Sequence, residues 1–136
     1  MEITTNSPEE TRRVAEKLAA DLPTGSVVAL YGGLGVGKTC FAAGLARGLG
    51  VPDRFLPSPT FVLVREYAGR CPLYHMDFYR LAEGTDLDLL GLDEYLFGEG
   101  VTVIEWAGKV EGVLPPQTIR VELEYLGGER RRLNIA

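Results

Sequence analysis

The chain has 136 residues, of which 46% are hydrophobic and 24% charged, and it carries a formal net charge of −5 at pH 7. These totals are ordinary for one globular domain, and the acidic balance excludes a chain-wide basic surface for nucleic acid. Two cysteines are too few for a disulfide framework, and they stand in no zinc-ligand spacing. Because no run approaches 18 apolar residues and no signal-like segment opens the chain, we expect a cytoplasmic protein that does not enter membranes.

The first predicted element is a helix that begins after Ser7. A serine suits the N-cap, Pro8 suits the first helical position, and a glutamate three residues after the cap completes a capping box. Apolar residues at spacings of three and four then predict a helix that ends near Asp21. A Pro-Thr-Gly turn at residues 23–25 leads into an apolar strand at residues 27–31.

That strand runs directly into Gly-Gly-Leu-Gly-Val-Gly-Lys-Thr at residues 32–39. The pattern G-x-x-x-x-G-K-[ST] between a strand and a helix is a P-loop. Its glycines let successive backbone N–H groups turn inward around a phosphate. Lys38 offers a positive charge to the β- and γ-phosphates, and Thr39 offers a hydroxyl to Mg²⁺. The motif predicts a nucleoside triphosphate site, and the alternative is a glycine-rich turn with an incidental Gly-Lys-Thr.

An alanine- and leucine-rich segment follows the motif and predicts a helix that closes at residues 48–50. The N-terminus of this helix adds a partial positive charge and free N–H groups to the phosphate site. Cys40, directly after the P-loop threonine, is expected to pack as a small buried residue.

The remaining predicted elements complete an α/β fold. In chain order they are a proline-punctuated loop at 52–59, an antiparallel pair of strands at 61–67 and 72–78, one or two short surface helices within 82–97, a strand at 101–104, and a β-hairpin formed by 118–125 and 131–135. We therefore predict one P-loop NTPase domain over residues 1–136. Its central mixed β-sheet is flanked by helices, with the P-loop strand in the middle, antiparallel additions at the edges and a C-terminal β-hairpin.

Two acidic residues end predicted strands beside the loop. Phosphoryl transfer needs an acid that orders Mg²⁺ and usually one that positions water, and such groups belong at the carboxyl ends of sheet strands. Glu105 ends the apolar strand at 101–104, and Asp77 lies near the end of the strand at 72–78. A solvated carboxylate at a strand end is the alternative for each of them.

Four motifs together make the chain resemble the bacterial TsaE (YjeE) family from about residue 7 to its C-terminus. They are the P-loop, Ser58-Pro59-Thr60, His75-Met76-Asp77-Phe78-Tyr79-Arg80 and Val103-Ile104-Glu105-Trp106. One departure is small: members often carry an acidic residue where this chain has Gly33. The resemblance implies a small ATPase that uses ATP and Mg²⁺ and works with two partner proteins, TsaB and TsaD. That complex makes N6-threonylcarbamoyladenosine beside the anticodon, and this component meets tRNA only indirectly through the complex.

The resemblance also implies roles for individual residues. Lys38 and Thr39 hold phosphate and Mg²⁺, Glu105 is a second ligand on the magnesium side, and Asp77 assists hydrolysis. Candidates further along the nucleotide are Thr60 as a γ-phosphate sensor, Trp106 close to the nucleotide, and, at the adenine end, Thr11 and one of Arg130, Arg131 or Arg132, of which Arg131 is preferred. The expected catalytic residues are Lys38, Asp77 and Glu105, and the expected metal ligands are Thr39 and Glu105. The expected nucleotide-binding residues are Thr11, Gly33, Leu34, Gly35, Val36, Gly37, Lys38, Thr39, Cys40, Thr60, Trp106 and Arg131.

For several of these residues, an ordinary structural role is the alternative to a functional one. Trp106 fits an ordinary core position, and the hairpin arginines fit an exposed strand with solvated charge. The single histidine, His75, is expected to be a hydrogen-bonded core group rather than a catalytic base. Tyr79 and Arg80 are expected either to shape a partner surface or to pack the end of their strand.

The sequence also allows functions other than that of a partner-dependent ATPase to be considered. A nucleotide-gated assembly factor would use ATP binding rather than turnover as its working step. A GTPase would need an Asn-Lys-x-Asp motif, which the sequence lacks, so adenine is favoured. A small-molecule kinase would need an arginine-rich lid, for which 136 residues leave little room.

Overall fold

The computed structural model describes residues 1–52 and 64–136. In chain order, the strands of this part of the chain are β1 (Glu2–Thr5), β2 (Val27–Tyr31), β3 (Val64–Ala68), β4 (Pro72–Asp77), β5 (Val101–Glu105), β6 (Ile119–Gly127) and β7 (Arg130–Ile135). The α-helices are α1 (Pro8–Ala20), α2 (Lys38–Gly48) and the single turn α3 (Asp93–Leu96), and 3₁₀ helices occupy Leu87–Leu90 and Ala107–Val113. Among the described helices, none has the length and apolar character needed to cross a membrane.

The strands form one mixed sheet in the order β1-β7-β6-β2-β5-β4-β3. The P-loop strand β2 lies in the middle, parallel to β5 on one side and to β6 on the other, and β4 is parallel to β5. The outer pairs β3–β4, β6–β7 and β1–β7 are antiparallel. The predicted central P-loop strand, antiparallel edges and C-terminal hairpin are confirmed.

Both faces of the central strand are buried, which explains its unbroken apolar sequence. Val28 and Leu30 pack on the face covered by α1 and α2. Val27 and Ala29 pack on the other face, against the region that follows β4 and β5. A leucine buried as fully as Leu30 contributes roughly 1.5–3 kcal/mol through loss of contact with water.

The sequence prediction and the structure differ in three places. Strand β1 and the 3₁₀ helix Ala107–Val113 were not predicted, and the strand predicted at 61–67 is comparable only from Val64 onward, because residues 61–63 lie outside the described residues. The helices predicted on the surface within 82–97 are present, but Leu92 and Leu96 are 4% and 1% exposed. Their side chains cover the apolar face of the sheet, so this segment is partly core.

Helix α1 begins as its sequence predicts. The Ser7 hydroxyl oxygen accepts from the backbone N–H of Glu10 at 3.1 Å, and the Glu10 carboxylate accepts from the N–H of Asn6 at 2.7 Å. The first bond satisfies a donor that the first helical turn leaves without a partner. In the second, the glutamate accepts from the residue before the N-cap, one position earlier than in a standard capping box.

Small residues bring α1 and α2 into close contact. A Cβ added to Gly44 would lie 2.4 Å from the carbonyl oxygen of Arg12 and 2.7 Å from the Cβ of Ala15. One turn later, a Cβ on Gly48 would lie 2.5 Å from the carbonyl oxygen of Glu16. Because α2 carries the end of the P-loop, this contact helps to fix the loop relative to the sheet.

Gly44→Ala is expected to lower the thermal midpoint of unfolding. The new methyl group has no room beside backbone atoms, and such overpacking costs about 1–3 kcal/mol despite the better helix propensity of alanine. Gly108→Ala is the matched control, because a Cβ there meets no atom within 4 Å. Differential scanning calorimetry checks both variants, and equal midpoints would contradict the close-packing argument.

Candidate phosphate and metal site

The P-loop lies between the end of β2 and the start of α2, at the carboxyl edge of the parallel strands. Gly37, directly before α2, has φ 112°, a backbone conformation that residues with a Cβ atom rarely adopt. A cavity of about 320 Å³ opens here, at the small end of the range for ligand sites. It is lined by Leu34, Gly35, Gly37, Lys38, Thr39, Cys40, Asp77, Tyr79, Glu105 and Trp106. All of these except Tyr79 belong to the site predicted from the sequence.

Lys38 is buried against the loop that precedes it. Its Nζ donates to the carbonyl oxygens of Gly32 and Gly33, both at 2.7 Å, and lies 4.0 Å from the ring centroid of Trp106. Burial lowers the pKa of Lys38, and the carboxylates of Glu105 and Asp77 act in the opposite direction. The ammonium group is therefore held in an orientation fixed by the loop, in a place where a further anion would stabilise its charge.

Glu105 is held from two sides at the end of β5. The Thr39 hydroxyl donates to Oε1 at 2.9 Å, and Nε2 of His75 lies 2.5 Å from Oε2. Glu105 is 2% exposed and His75 is fully buried. A buried carboxylate needs such partners, because it has lost its hydration.

The oxygens of Thr39 and Glu105 are of the kind that a hard cation such as Mg²⁺ prefers. Within residues 1–52 and 64–136, no cluster of three or more His, Cys, Asp or Glu side chains could enclose a metal ion. Mg²⁺ commonly completes its coordination with phosphate oxygens and water, so two adjacent protein oxygens beside a phosphate cradle fit its chemistry.

Asp77 reaches the same cavity from the neighbouring strand. It is paired in register with Glu105 across β4 and β5, and it is more exposed than Glu105. Its Oδ1 accepts from the backbone N–H of Tyr79 at 2.8 Å, which fixes the carboxylate at the strand end. Both acids meet at one edge of the sheet, as the strand-end argument predicts.

Two aromatic rings form one wall of the cavity. Trp106 is the only non-glycine residue with positive φ among the described residues, at 59°, and this conformation turns the chain sharply out of β5. Its ring lies 4.9 Å from that of Tyr79, with Tyr79 held in turn by Lys109, whose Nζ donates to the Tyr79 carbonyl at 2.6 Å. Tyr79 was not predicted from the sequence to line the site. Its position two residues after Asp77, on the same face of the strand, was the available signal.

Several predicted binding residues lie elsewhere. Thr11 is buried, and its hydroxyl is hydrogen-bonded to that of Thr5 at 2.7 Å. Arg131 donates from Nε to the carbonyl oxygen of Val36 at 2.8 Å, so it contacts the backbone of the P-loop. Their roles at the adenine end stay predictions, and Thr60 lies outside the described residues. Gly33 and Val36 belong to the P-loop without lining the cavity.

The predicted burial of Cys40 was wrong. Its side chain is only partly buried and borders the cavity, with Sγ 3.2 Å from the carbonyl oxygen of Pro8. The physical reason is its place in the first turn of α2, at the end of the contact between α1 and α2, where the cavity leaves the side chain partly open. Burial raises the pKa of the Cys40 thiol, which favours the neutral form.

The chain is similar to known proteins over almost its whole length. The family model described as Threonylcarbamoyl adenosine biosynthesis protein TsaE matches residues 5–133. A Treponema pallidum protein named tRNA threonylcarbamoyladenosine biosynthesis protein TsaE is 43% identical over 100% of both chains. A Bacillus subtilis protein of the same name is 43% identical over 95% of this chain and 80% of the relative. The crystal structure of Bacillus subtilis YdiB matches with a TM-score of 0.82 at 38% identity, covering 99% of this chain and 83% of the other, which confirms the fold class.

Arg131→Gln is expected to loosen the P-loop. The substitution removes the donor to the Val36 carbonyl, a charge-assisted bond that is partly exposed and so worth roughly 1 kcal/mol. Amide hydrogen exchange over residues 33–37 is expected to accelerate about threefold to tenfold. Arg130→Gln, which removes the same charge from an exposed neighbour, is the control. Identical exchange in the two variants would contradict a specific role for Arg131.

Proposed function

The chain belongs to the TsaE family of threonylcarbamoyladenosine biosynthesis proteins, and from that premise we propose that it binds ATP with Mg²⁺ and hydrolyses it in support of tRNA threonylcarbamoylation. The observation that carries the proposal is the meeting of a P-loop lysine, a P-loop threonine and two strand-end carboxylates around one cavity. Because tRNA modification takes place in the cytoplasm, we propose a cytoplasmic location for the protein.

Binding of the triphosphate rests on charge and on backbone donors. The open side of the loop has room, since a Cβ on Gly33 or Gly35 would meet no atom within 4 Å. The N-terminus of α2 and the Lys38 ammonium both supply positive charge where the β- and γ-phosphates would lie. The anionic ligand would in turn stabilise the charged form of Lys38, whose pKa burial has lowered.

For hydrolysis, we assign roles to polar side chains that line the cavity. Thr39 and Glu105 would hold Mg²⁺, which when bound neutralises charge on the phosphate oxygens. Asp77 keeps one carboxylate oxygen on the Tyr79 amide, so its other oxygen can accept a hydrogen bond from the attacking water. Lys38 stabilises the negative charge that the transferred phosphoryl group carries.

The proposed partners are the TsaB and TsaD proteins, with tRNA reached only through them. The net charge of −5 supports this division, because the chain itself offers no general basic surface for RNA. Leu34 and Tyr79, which line the cavity, are 77% and 48% exposed. Exposed apolar groups at the nucleotide site would let a partner sense whether ATP is bound, which also favours nucleotide-gated assembly as the second candidate function.

Asp77→Asn is expected to lower the rate of phosphate release by about 10²–10³-fold while ATP affinity stays within about threefold. Lys38→Ala is expected instead to weaken ATP binding by about 10–100-fold, because a charged contact to phosphate is lost. Phosphate release is measured with and without the TsaB and TsaD proteins, and affinity by calorimetry. Asp88→Asn is the control, since it removes an exposed carboxylate far from the P-loop in sequence and outside the cavity lining.

The same variants separate the two candidate functions. Unchanged turnover in Asp77→Asn would rule out its hydrolytic role. Complete tRNA modification by Asp77→Asn with turnover abolished would favour the assembly factor over the ATPase. Competition between labelled ATP and unlabelled GTP tests the base, and stronger competition by GTP would contradict the choice of ATP.

A further inference from the structure

The fully buried side chain of His75 lies directly behind the cavity. It is on β4, two residues before Asp77, and is paired in register with Val103 on β5. Since side chains two residues apart on a strand share a face, His75 and Asp77 both point toward the side of β5 that carries Glu105. Asp77 is directly beside Glu105, and His75 is its diagonal neighbour, with Nε2 2.5 Å from Oε2.

We propose that His75 is a positioning residue that holds the Glu105 carboxylate in the orientation needed to bind Mg²⁺. This inference rests on the proposed function. The imidazole contacts Oε2, and Oε1 consequently faces the Thr39 hydroxyl and the cavity. His75 does not line the cavity and acts only through Glu105.

The two oxygens of the Glu105 carboxylate have different partners. In this structure Oε1 is bonded to Thr39, the residue with which it would share a metal ion, whereas Oε2 is bonded to a side chain with no solvent exposure. Thr39 and Oε1 of Glu105 would hold the cation together, whereas the bond between His75 and Oε2 lies on the other oxygen and could stay in place. Without His75, the carboxylate could rotate, and its buried oxygen would lose a partner within the core.

A merely space-filling histidine would behave differently. Space-filling stabilises the whole fold and so affects nucleotide binding with and without metal alike. A residue that orients a metal ligand affects the metal-dependent part, and loss of such outer partners typically weakens metal affinity by about 10–100-fold. The two roles are therefore separable by measuring binding in the presence and absence of Mg²⁺.

The experiment compares wild type, His75→Leu and His75→Gln in the full chain. Mg²⁺ is titrated at saturating ADP, and ADP affinity is measured separately in EDTA, both followed by the fluorescence of the single tryptophan, Trp106, in the cavity wall. We expect His75→Leu to weaken apparent Mg²⁺ affinity by about 10–100-fold, with metal-free ADP affinity changed by less than about threefold. His75→Gln, whose amide can donate near the position of Nε2, is expected to recover Mg²⁺ affinity to within about threefold of wild type.

A double-mutant cycle keeps the test decisive if His75→Leu does not fold. His75→Asn stays polar but is too short to reach Oε2, so alone it is expected to weaken Mg²⁺ affinity by about 10–100-fold. In a Glu105→Gln background, the same substitution is expected to have no further effect on Mg²⁺ affinity, because the oriented carboxylate is already absent. Additive losses would overturn the positioning role, as would equal losses with and without metal in His75→Leu. Failure of the proposed function looks different, since wild type itself would then show nucleotide binding that does not respond to Mg²⁺.

Discussion

Glu105 places a carboxylate at the end of a strand whose five residues are all buried, and the architecture of the site follows from that constraint. A charge in such a place persists only with close hydrogen-bonding partners, which it finds in Thr39 from the P-loop and His75 from β4. Those partners reach it because β5 lies between β2 and β4, with all three strands parallel. The polar chain Thr39–Glu105–His75 therefore depends on the strand order.

The P-loop is also held by elements outside the cavity. Gly44 and Gly48 let α2 approach α1 closely, which fixes the helix that begins at Lys38. Arg131, on β7 near the C-terminal end of the sequence, donates a hydrogen bond to the carbonyl oxygen of Val36 in the loop. A glycine-rich loop needs a flexible backbone to wrap around phosphate. Here that backbone is attached to rigid elements at two points, the helix α2 and the β-hairpin that carries Arg131.

Local patterns in the sequence predicted much of this molecule. The P-loop, the capping box of α1 and the two hairpins all have signals contained within a short stretch of chain. The joint position of Asp77 and Glu105 followed from one general property of parallel sheets, that carboxyl ends of strands meet at one edge. Strand β1 has only four residues and forms by pairing with β7 near the other end of the chain, so no local signal could identify it.

Contacts between distant residues explain the other differences. Periodicity predicts which face of a strand a side chain occupies but not its partner, so His75 was expected in the core without its bond to Glu105. Arg131 likewise gave no local sign of its bond to Val36. The 3₁₀ helix Ala107–Val113 follows Trp106, which has a left-handed backbone conformation. The Trp106 ring packs against Tyr79 and Lys38, contacts that local propensity does not predict.

The central position of β2 has a consequence for the ribosome-bound chain. This strand emerges early, but its neighbours β5 and β6 are synthesised much later. Until they emerge, both hydrogen-bonding edges of an apolar strand lack their native partners, and such edges are prone to pair with other chains. The hydrogen bond between Thr39 and Glu105 likewise forms only after β5 has been synthesised. Rapid completion of the chain, or a chaperone that covers β2, would limit such pairing during translation.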